Sequence, residues 1–258
     1  THTHAAPGTD DSRHEDLGPD VMKPSDYGQL LIDRTATCVA DAWNGRSTGS
    51  LSWGCGQAVV GFNRRQVKLD GTSQMYGDTS TDDFSHIEGY EDHGVDMLFT
   101  YAPDGAVTGM VINLACPSQV TESDHLVSAD FWHETRSEIR RRHGEGLYIL
   151  PQCSAAGDQS PHLMWKQRAE LRMLKLKGLC EDEAGRRMAE RAEIGNRIAN
   201  AVDEVMPLVT KDTRHEVRLE HVVKTVQLPR RAITEDDVKE AEREALSYEE
   251  KLAELADR

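Results

Sequence analysis

An α/β fold is expected from this chain on three observations. Residues 95–101 and 106–115 are apolar, β-rich runs parted by Pro103-Asp104-Gly105, which predicts a hairpin and hence antiparallel pairing. Residues 181–206 place Ala184, Met188, Ala192, Ile194, Ile198, Val202 and Val205 near one helical face, the signature of a helix packed on a core. Residues 234–258 repeat Val238, Ala241, Ala245, Tyr248, Leu252 and Leu255 at alternating spacings of three and four, a heptad-like stripe. The last stretch is otherwise highly charged. The chain is therefore divided into an α/β domain over 1–230 and a charged helical extension over 231–258.

The 258 residues suffice for one large domain or two small ones. With 38% hydrophobic and 29% charged residues, a soluble and rather polar globular protein is expected. A net charge of −15 argues against a nucleic-acid surface, which needs a basic face, and against broad binding to anionic lipid. No run is long enough to span a bilayer, and no signal-peptide pattern precedes Thr1. The five cysteines, Cys38, Cys55, Cys116, Cys153 and Cys180, are scattered without a C-x-x-C pair, so neither a disulfide framework nor a structural zinc module is indicated. The chain starts without Met in a His-rich segment, and both ends are expected to be truncated.

Taken in order, Thr1-His2-Thr3-His4 comes first. In a strand, residues two apart share a face, so His2 and His4 can reach one metal ion; a flexible terminus or an expression remnant is the plain alternative. Residues 10–24 are acidic with Gly and Pro and read as a loop. A helix follows from Ser25, a plausible cap, with Leu30, Leu31, Val39, Ala40 and Trp43 at roughly helical spacing and Asn44-Gly45 at its end. Residues 51–61 read as strand. Phe62-Asn63-Arg64-Arg65 follows, and Arg64 can hold a carboxylate or a polarised oxygen or be a solvated surface residue. Residues 71–90 are polar and loop-like.

After the hairpin comes Ala115-Cys116-Pro117-Ser118. As a thiolate Cys116 can bind a metal; as a small buried residue it has the usual fate of a lone Cys. His93 and His125 are other candidate ligands, or loop residues. A helix is expected from 127 to about 142, with Asp130 near its start, where a carboxylate is favourable. A strand from Leu147 then breaks into small residues and ends at Gly157-Asp158-Gln159-Ser160-Pro161. Such a turn at the end of a sheet presents a side chain, and Pro161 restricts the backbone of Ser160. Ser160 is therefore either a reacting hydroxyl or an incidental turn residue. Residues 165–176 are helix-prone. Residues 216–228 alternate around Val217, Leu219, Val222 and Val226 and read as strand, closed by Pro229. Thr234 with Asp237 forms a capping box for the last helix.

Three of these stretches resemble the neutral ceramidases, which hydrolyse the amide bond of ceramide at a zinc site. Ala155-Ala156-Gly157-Asp158-Gln159-Ser160-Pro161-His162 resembles their Asn-x-Gly-Asp-Val-Ser-Pro-Asn signature, with Ala155 and His162 at the two Asn positions. Thr1-His2-Thr3-His4 followed by Pro7-Gly8 resembles their Thr-His-Thr-His-x-x-Pro-Gly segment. The hairpin from Gly94 to Ala115 resembles one whose second strand ends in the second zinc His; that position falls at Cys116 or Pro117. The likeness covers roughly residues 1–160 with gaps.

The resemblance implies an α/β (α+β) domain, a mixed sheet with flanking helices, truncated at its N-terminus. It implies Zn2+ as cofactor with His2 as ligand and Cys116 in place of a His, and His4 beside the reacting carbonyl. A thiolate ligand would make a bound water less acidic. It places Arg64 near the substrate pocket, and Ser160 as nucleophile or as orienter of the attacking water, with His4 the candidate base. The remaining ligands of the family, a Glu and a Tyr, come from a later region that nothing in this chain resembles. The expected activity is zinc-dependent hydrolysis of a small amphipathic amide, and the expected compartment is secreted or periplasmic. The alternative is a ceramidase-like protein with a degenerate metal site that binds such a ligand without cleaving it. A Gly-Asp-Ser serine esterase is not met, because Gln159 intervenes.

Overall fold

The computed structural model describes residues 2–256; Thr1, the expected helix end at Arg258 and the side chain of Leu255 lie outside the described residues. After a short 3-10 turn at Asp11–Arg13, the elements are α1 (Pro24–Asn44), β1 (Ser50–Gln57), β2 (Phe62–Asn63), β3 (Arg65–Lys68), β4 (Ser73–Met75), β5 (Phe84–Ile87), β6 (Gly94–Tyr101) and β7 (Val107–Leu114). Then come α2 (Phe131–His143), β8 (Tyr148–Cys153), β9 (Gln159–Ser160), α3 (Gln167–Leu176), α4 (Arg186–Val209) and α5 (Glu235–Ala256). Residues Thr1–Val217 form one compact unit and Arg218–Arg258 a second.

The first unit is an α/β fold on a mixed sheet of order β1-β6-β7-β8. The predicted hairpin is its centre: β6 pairs antiparallel with β7, Val95 opposite Leu114 and Phe99 opposite Met110. Alternation places Val95, Met97, Phe99 and Tyr101 on the buried face, as a period of two requires. β8 runs parallel to β7, with Leu114 opposite Cys153. A parallel neighbour needs a crossover, and α2 supplies it. The carboxyl ends of β7 and β8 therefore lie side by side, joined by Ser154 N–H donating to the Leu114 carbonyl at 3.0 Å. In open sheets this end is where ligands are met.

α2 and α4 cover the sheet, and their contact requires Gly195. A Cβ there would stand 2.9 Å from the backbone nitrogen of Thr135 and 3.0 Å from the carbonyl carbon of Glu134, so the helices approach through bare backbone. Ile198 and Val202 of α4 join Phe99, Ile112, Phe131 and Ile139 in the core. The buried Arg191 is satisfied by Glu134 of α2, 2.8 Å away. Ile194, Ile198, Val202 and Val205 of the predicted apolar face are buried, whereas Met188 near the start of the helix is exposed and Ala189, Ala199 and Ala201 are buried in addition.

Several expectations are corrected. Residues 71–90 are not all loop: β4 and β5 flank β3 in a small antiparallel sheet. α1 begins at Pro24 with Lys23 as cap, and the Ser25 N–H donates to Asp11 Oδ1 at 2.8 Å instead of Ser25 capping the helix. Residues 216–228 form no strand, and Val217, Leu219, Val222 and Val226 are exposed. In the second unit the capping box is present: Asp237 N–H donates to Thr234 Oγ1 at 3.2 Å, and Thr234 N–H to Asp237 Oδ2 at 2.8 Å. Among the described residues no helix is long and apolar enough to cross a membrane.

Candidate functional site

The loops that leave β7 and β8 build one polar cluster, and the N-terminal segment is laid across it. Thr3 pairs parallel with Ser118. Ser118 Oγ donates to the His2 carbonyl at 2.7 Å, and His4 N–H to the Ser118 carbonyl at 3.1 Å. This extended segment points His2 and His4 the same way, as the spacing predicts, and their Nε2 atoms lie 2.9 Å apart. Desolvation pushes the His2 imidazole below its ordinary value, and His4 and Arg64 push it the same way. The neutral ring is the form that binds a metal.

Glu122, eight positions beyond the end of β7, is the hub. Its Oε2 meets His4 Nδ1 at 2.6 Å, and its Oε1 meets His162 Nε2 at 3.2 Å. Gln119 Nε2 donates to Glu122 Oε1 at 3.4 Å and to the Tyr76 hydroxyl at 2.7 Å. The carboxylate fixes the orientation of the Gln119 amide, because its NH2 end must face an acceptor. The buried Gln119 Oε1 has no protein partner among the described residues.

Tyr76 completes the link to Ser160. Its hydroxyl donates to Ser160 Oγ at 3.1 Å and accepts from Arg64 Nη1 at 3.0 Å. The Arg64 guanidinium is also held by the Gly157 carbonyl, at 2.9 Å from Nη2 and 3.3 Å from Nε, and lies 5.3 Å from the Tyr76 ring centre. Tyr76 sits at φ 55°, in the left-handed region, a conformation that costs a bulky residue free energy and persists where the surroundings impose it.

The serine turn is pinned by backbone and side chain together. β2 pairs with β9, Phe62 opposite Ser160 and Asn63 opposite Gln159. Asn63 Nδ2 donates to Asp158 Oδ2 at 3.0 Å, and Arg64 N–H to the Asp158 carbonyl at 2.8 Å. Ser160 is fully covered, at 0% exposure, and its Oγ also accepts the His162 N–H at 3.1 Å.

The sequence-predicted residues His2, His4, Arg64 and Ser160 are thus members of one hydrogen-bonded network. Cys116 is not in it. It is fully buried in the hydrophobic core, and its thiol lies 3.4 Å from the Pro117 carbonyl. Burial pushes that thiol well above its ordinary range, with Cys153 and Asp130 adding to the effect, as expected of a small buried side chain. The physical reason is position: Cys116 lies two residues beyond the end of the apolar β7 and keeps its burial. Among the described residues no group of three His, Cys, Asp or Glu side chains has the arrangement of a metal site. A catalytic zinc takes three protein donors, and the donor set assembled here does not fit one. His93 meets Glu91 at 3.5 Å, while His125 sits at φ 51° in the loop before α2.

Sequence reasoning did not assign Glu122, Gln119 or Tyr76. Its one available signal was His162, noted as a departure, whose ring now faces the same carboxylate as His4.

In sequence, no family model and no curated protein matches the chain. In structure, the chain is similar to one described as neutral ceramidase from Pseudomonas aeruginosa, with a TM-score of 0.50 and 17% identity. The match covers 70% of this chain and 26% of that one, so this chain spans about a quarter of its length. A structure described as ceramidase complexed with C2 matches at a TM-score of 0.42 and 16% identity, over 62% of this chain and 22% of that one. At such identity the likeness is one of fold.

Proposed function

We propose that this chain carries the serine-bearing part of an amide hydrolase of the ceramidase kind, acting on a small amphipathic N-acyl amide. One observation carries the reading. His4 and Ser160, 156 positions apart in the sequence, belong to one network through Glu122, Gln119 and Tyr76. His4 is oriented by a carboxylate at 2.6 Å, the relation that sets the tautomer and orientation of a catalytic imidazole. Arg64 beside Tyr76 supplies fixed positive charge where a carbonyl oxygen would gain negative charge. The fold likeness to a neutral ceramidase agrees with this assignment. Zinc dependence is part of the family resemblance, but the donors assembled among the described residues do not fit the metal.

A second reading has an observation in its favour. Cys116 is buried and Ser160 covered, which suits a protein that binds an acyl amide without cleaving it. Turnover of a short-chain N-acyl sphingosine, with zinc added and after chelation, separates the two. The hydrolase reading expects fatty acid released in proportion to enzyme under at least one of the two conditions. Binding of the amide with no acid released under either condition establishes the second reading instead.

A further inference from the structure

We propose that Tyr76 polarises Ser160 into a hydrogen-bond donor, so that this site selects an acyl oxygen as its ligand atom. The inference rests on the reading of Ser160 as the residue that meets an acyl group, and it names the residue that sets the polarity of that meeting.

The argument is one of donor and acceptor inventory. A guanidinium donates and never accepts, and an amide NH2 does the same. Arg64 Nη1 and Gln119 Nε2 therefore occupy both lone pairs of the Tyr76 oxygen, at 3.0 Å and 2.7 Å. The phenolic hydrogen then has one direction left, toward Ser160 Oγ at 3.1 Å. Ser160 Oγ accepts that hydrogen and the His162 N–H, at 3.1 Å, which fills its own two lone pairs. Its hydroxyl hydrogen must leave in the remaining tetrahedral direction, toward a group that accepts. Two donors at one end thus fix the direction of every bond along the chain from Arg64 and Gln119 through Tyr76 to Ser160. Successive donors in such a chain strengthen one another.

A carbonyl or carboxylate oxygen satisfies this donor; an ammonium group does not. Ser160 is covered, so the ligand must displace a neighbour. The His162 side chain can move without breaking the relay, because Oγ is held by its backbone N–H, whereas its ring is tied to Glu122 at 3.2 Å and is partly exposed. Tyr76 makes this contact from a left-handed backbone conformation, φ 55°.

The test measures binding and does not require turnover. Hexanoate and N-hexanoylethanolamine, with hexylamine as control, are titrated calorimetrically into the whole chain and into Tyr76→Phe, Ser160→Ala and the double variant. Each single substitution is expected to weaken the acyl ligands about 10-fold, and the double variant no further than Ser160→Ala alone, while hexylamine shows no preference for the parent. Should Tyr76→Phe not fold, Gln119→Met interrupts the same chain and is expected to weaken acyl binding about threefold. Unchanged acyl affinity in Tyr76→Phe, effects that multiply in the double variant, or no acyl binding by the parent overturns the relay. Acyl binding with coupled losses but no acid released upholds the relay and defeats the hydrolase reading. Hydrolysis without coupling does the reverse.

Discussion

Replacing Ser160 with alanine is expected to lower hydrolysis of a short-chain N-acyl sphingosine about a thousandfold, the size of effect seen when a group acting only in the transition state is removed. The Ser160 hydroxyl is the meeting point of the site: it takes the Tyr76 O–H and the His162 N–H, each at 3.1 Å. Alanine removes the hydroxyl that meets the acyl group and leaves both donors without their acceptor. It does not remove the β2–β9 pairing that holds the turn, because that pairing is between backbones. The loss of stability is therefore expected to stay near 1–2 kcal/mol, about the desolvation penalty of groups left unpaired. A variant that melts near the parent and retains parental turnover would remove Ser160 from the chemistry.

Asp130→Ala is expected to cost about 4 kcal/mol of folding free energy, from three lost hydrogen bonds at roughly 1–2 kcal/mol each, one of them a helix cap. Asp130 is completely buried. Its carboxyl accepts from Phe131 N–H at 2.8 Å, capping α2, and from Thr121 N–H and Oγ1–H at 2.8 Å and 2.7 Å. Its own N–H donates to Ser128 Oγ at 2.9 Å. It holds φ 52° and ψ −146°, a sparsely populated conformation that only such surroundings sustain. Alanine cannot supply the acceptor, so buried donors of Thr121 are stranded. The damage is also functional, because Thr121 lies between Gln119 and Glu122, and loosening it frees both from the site. Urea denaturation measures the effect; a loss below about 1 kcal/mol would mean that Asp130 is not the anchor of this loop.

The parts legible in the sequence are those specified by local pattern. The hairpin is found at Gly94–Tyr101 and Val107–Leu114, because alternation and a turn cluster act over a few residues. The Thr234 capping box and the start of α2 at Asp130 are equally local. The small sheet of β3, β4 and β5 was hidden because β4 is exposed along its whole length and shows no apolar alternation. Residues 216–228 show alternation without a strand, since a pleated apolar face needs a partner to bury it and Leu219 and Val222 remain exposed.

The site divides in the same way. His2, His4, Arg64 and Ser160 stand in short recognisable segments. Glu122, Gln119 and Tyr76 stand in loops without periodicity, and their roles arise from contacts over 118, 43 and 84 positions of sequence separation. No window of local sequence contains such a pair. Cys116 lies outside the network for a related reason: the sequence shows a thiol after a strand, but only the packing shows that it is buried in the core.

The account stands on His4 and Ser160 belonging to one site. Its most direct test is the hydrolysis rate of the parent, His4→Ala, Ser160→Ala and the double variant. Residues that act as a unit are non-additive. With His4→Ala about a hundredfold slower and Ser160→Ala about a thousandfold slower, the double variant is expected to be no slower than Ser160→Ala. A double variant slowed by the product of the two effects, about a hundred-thousandfold, would show two independent contributions and contradict the single site.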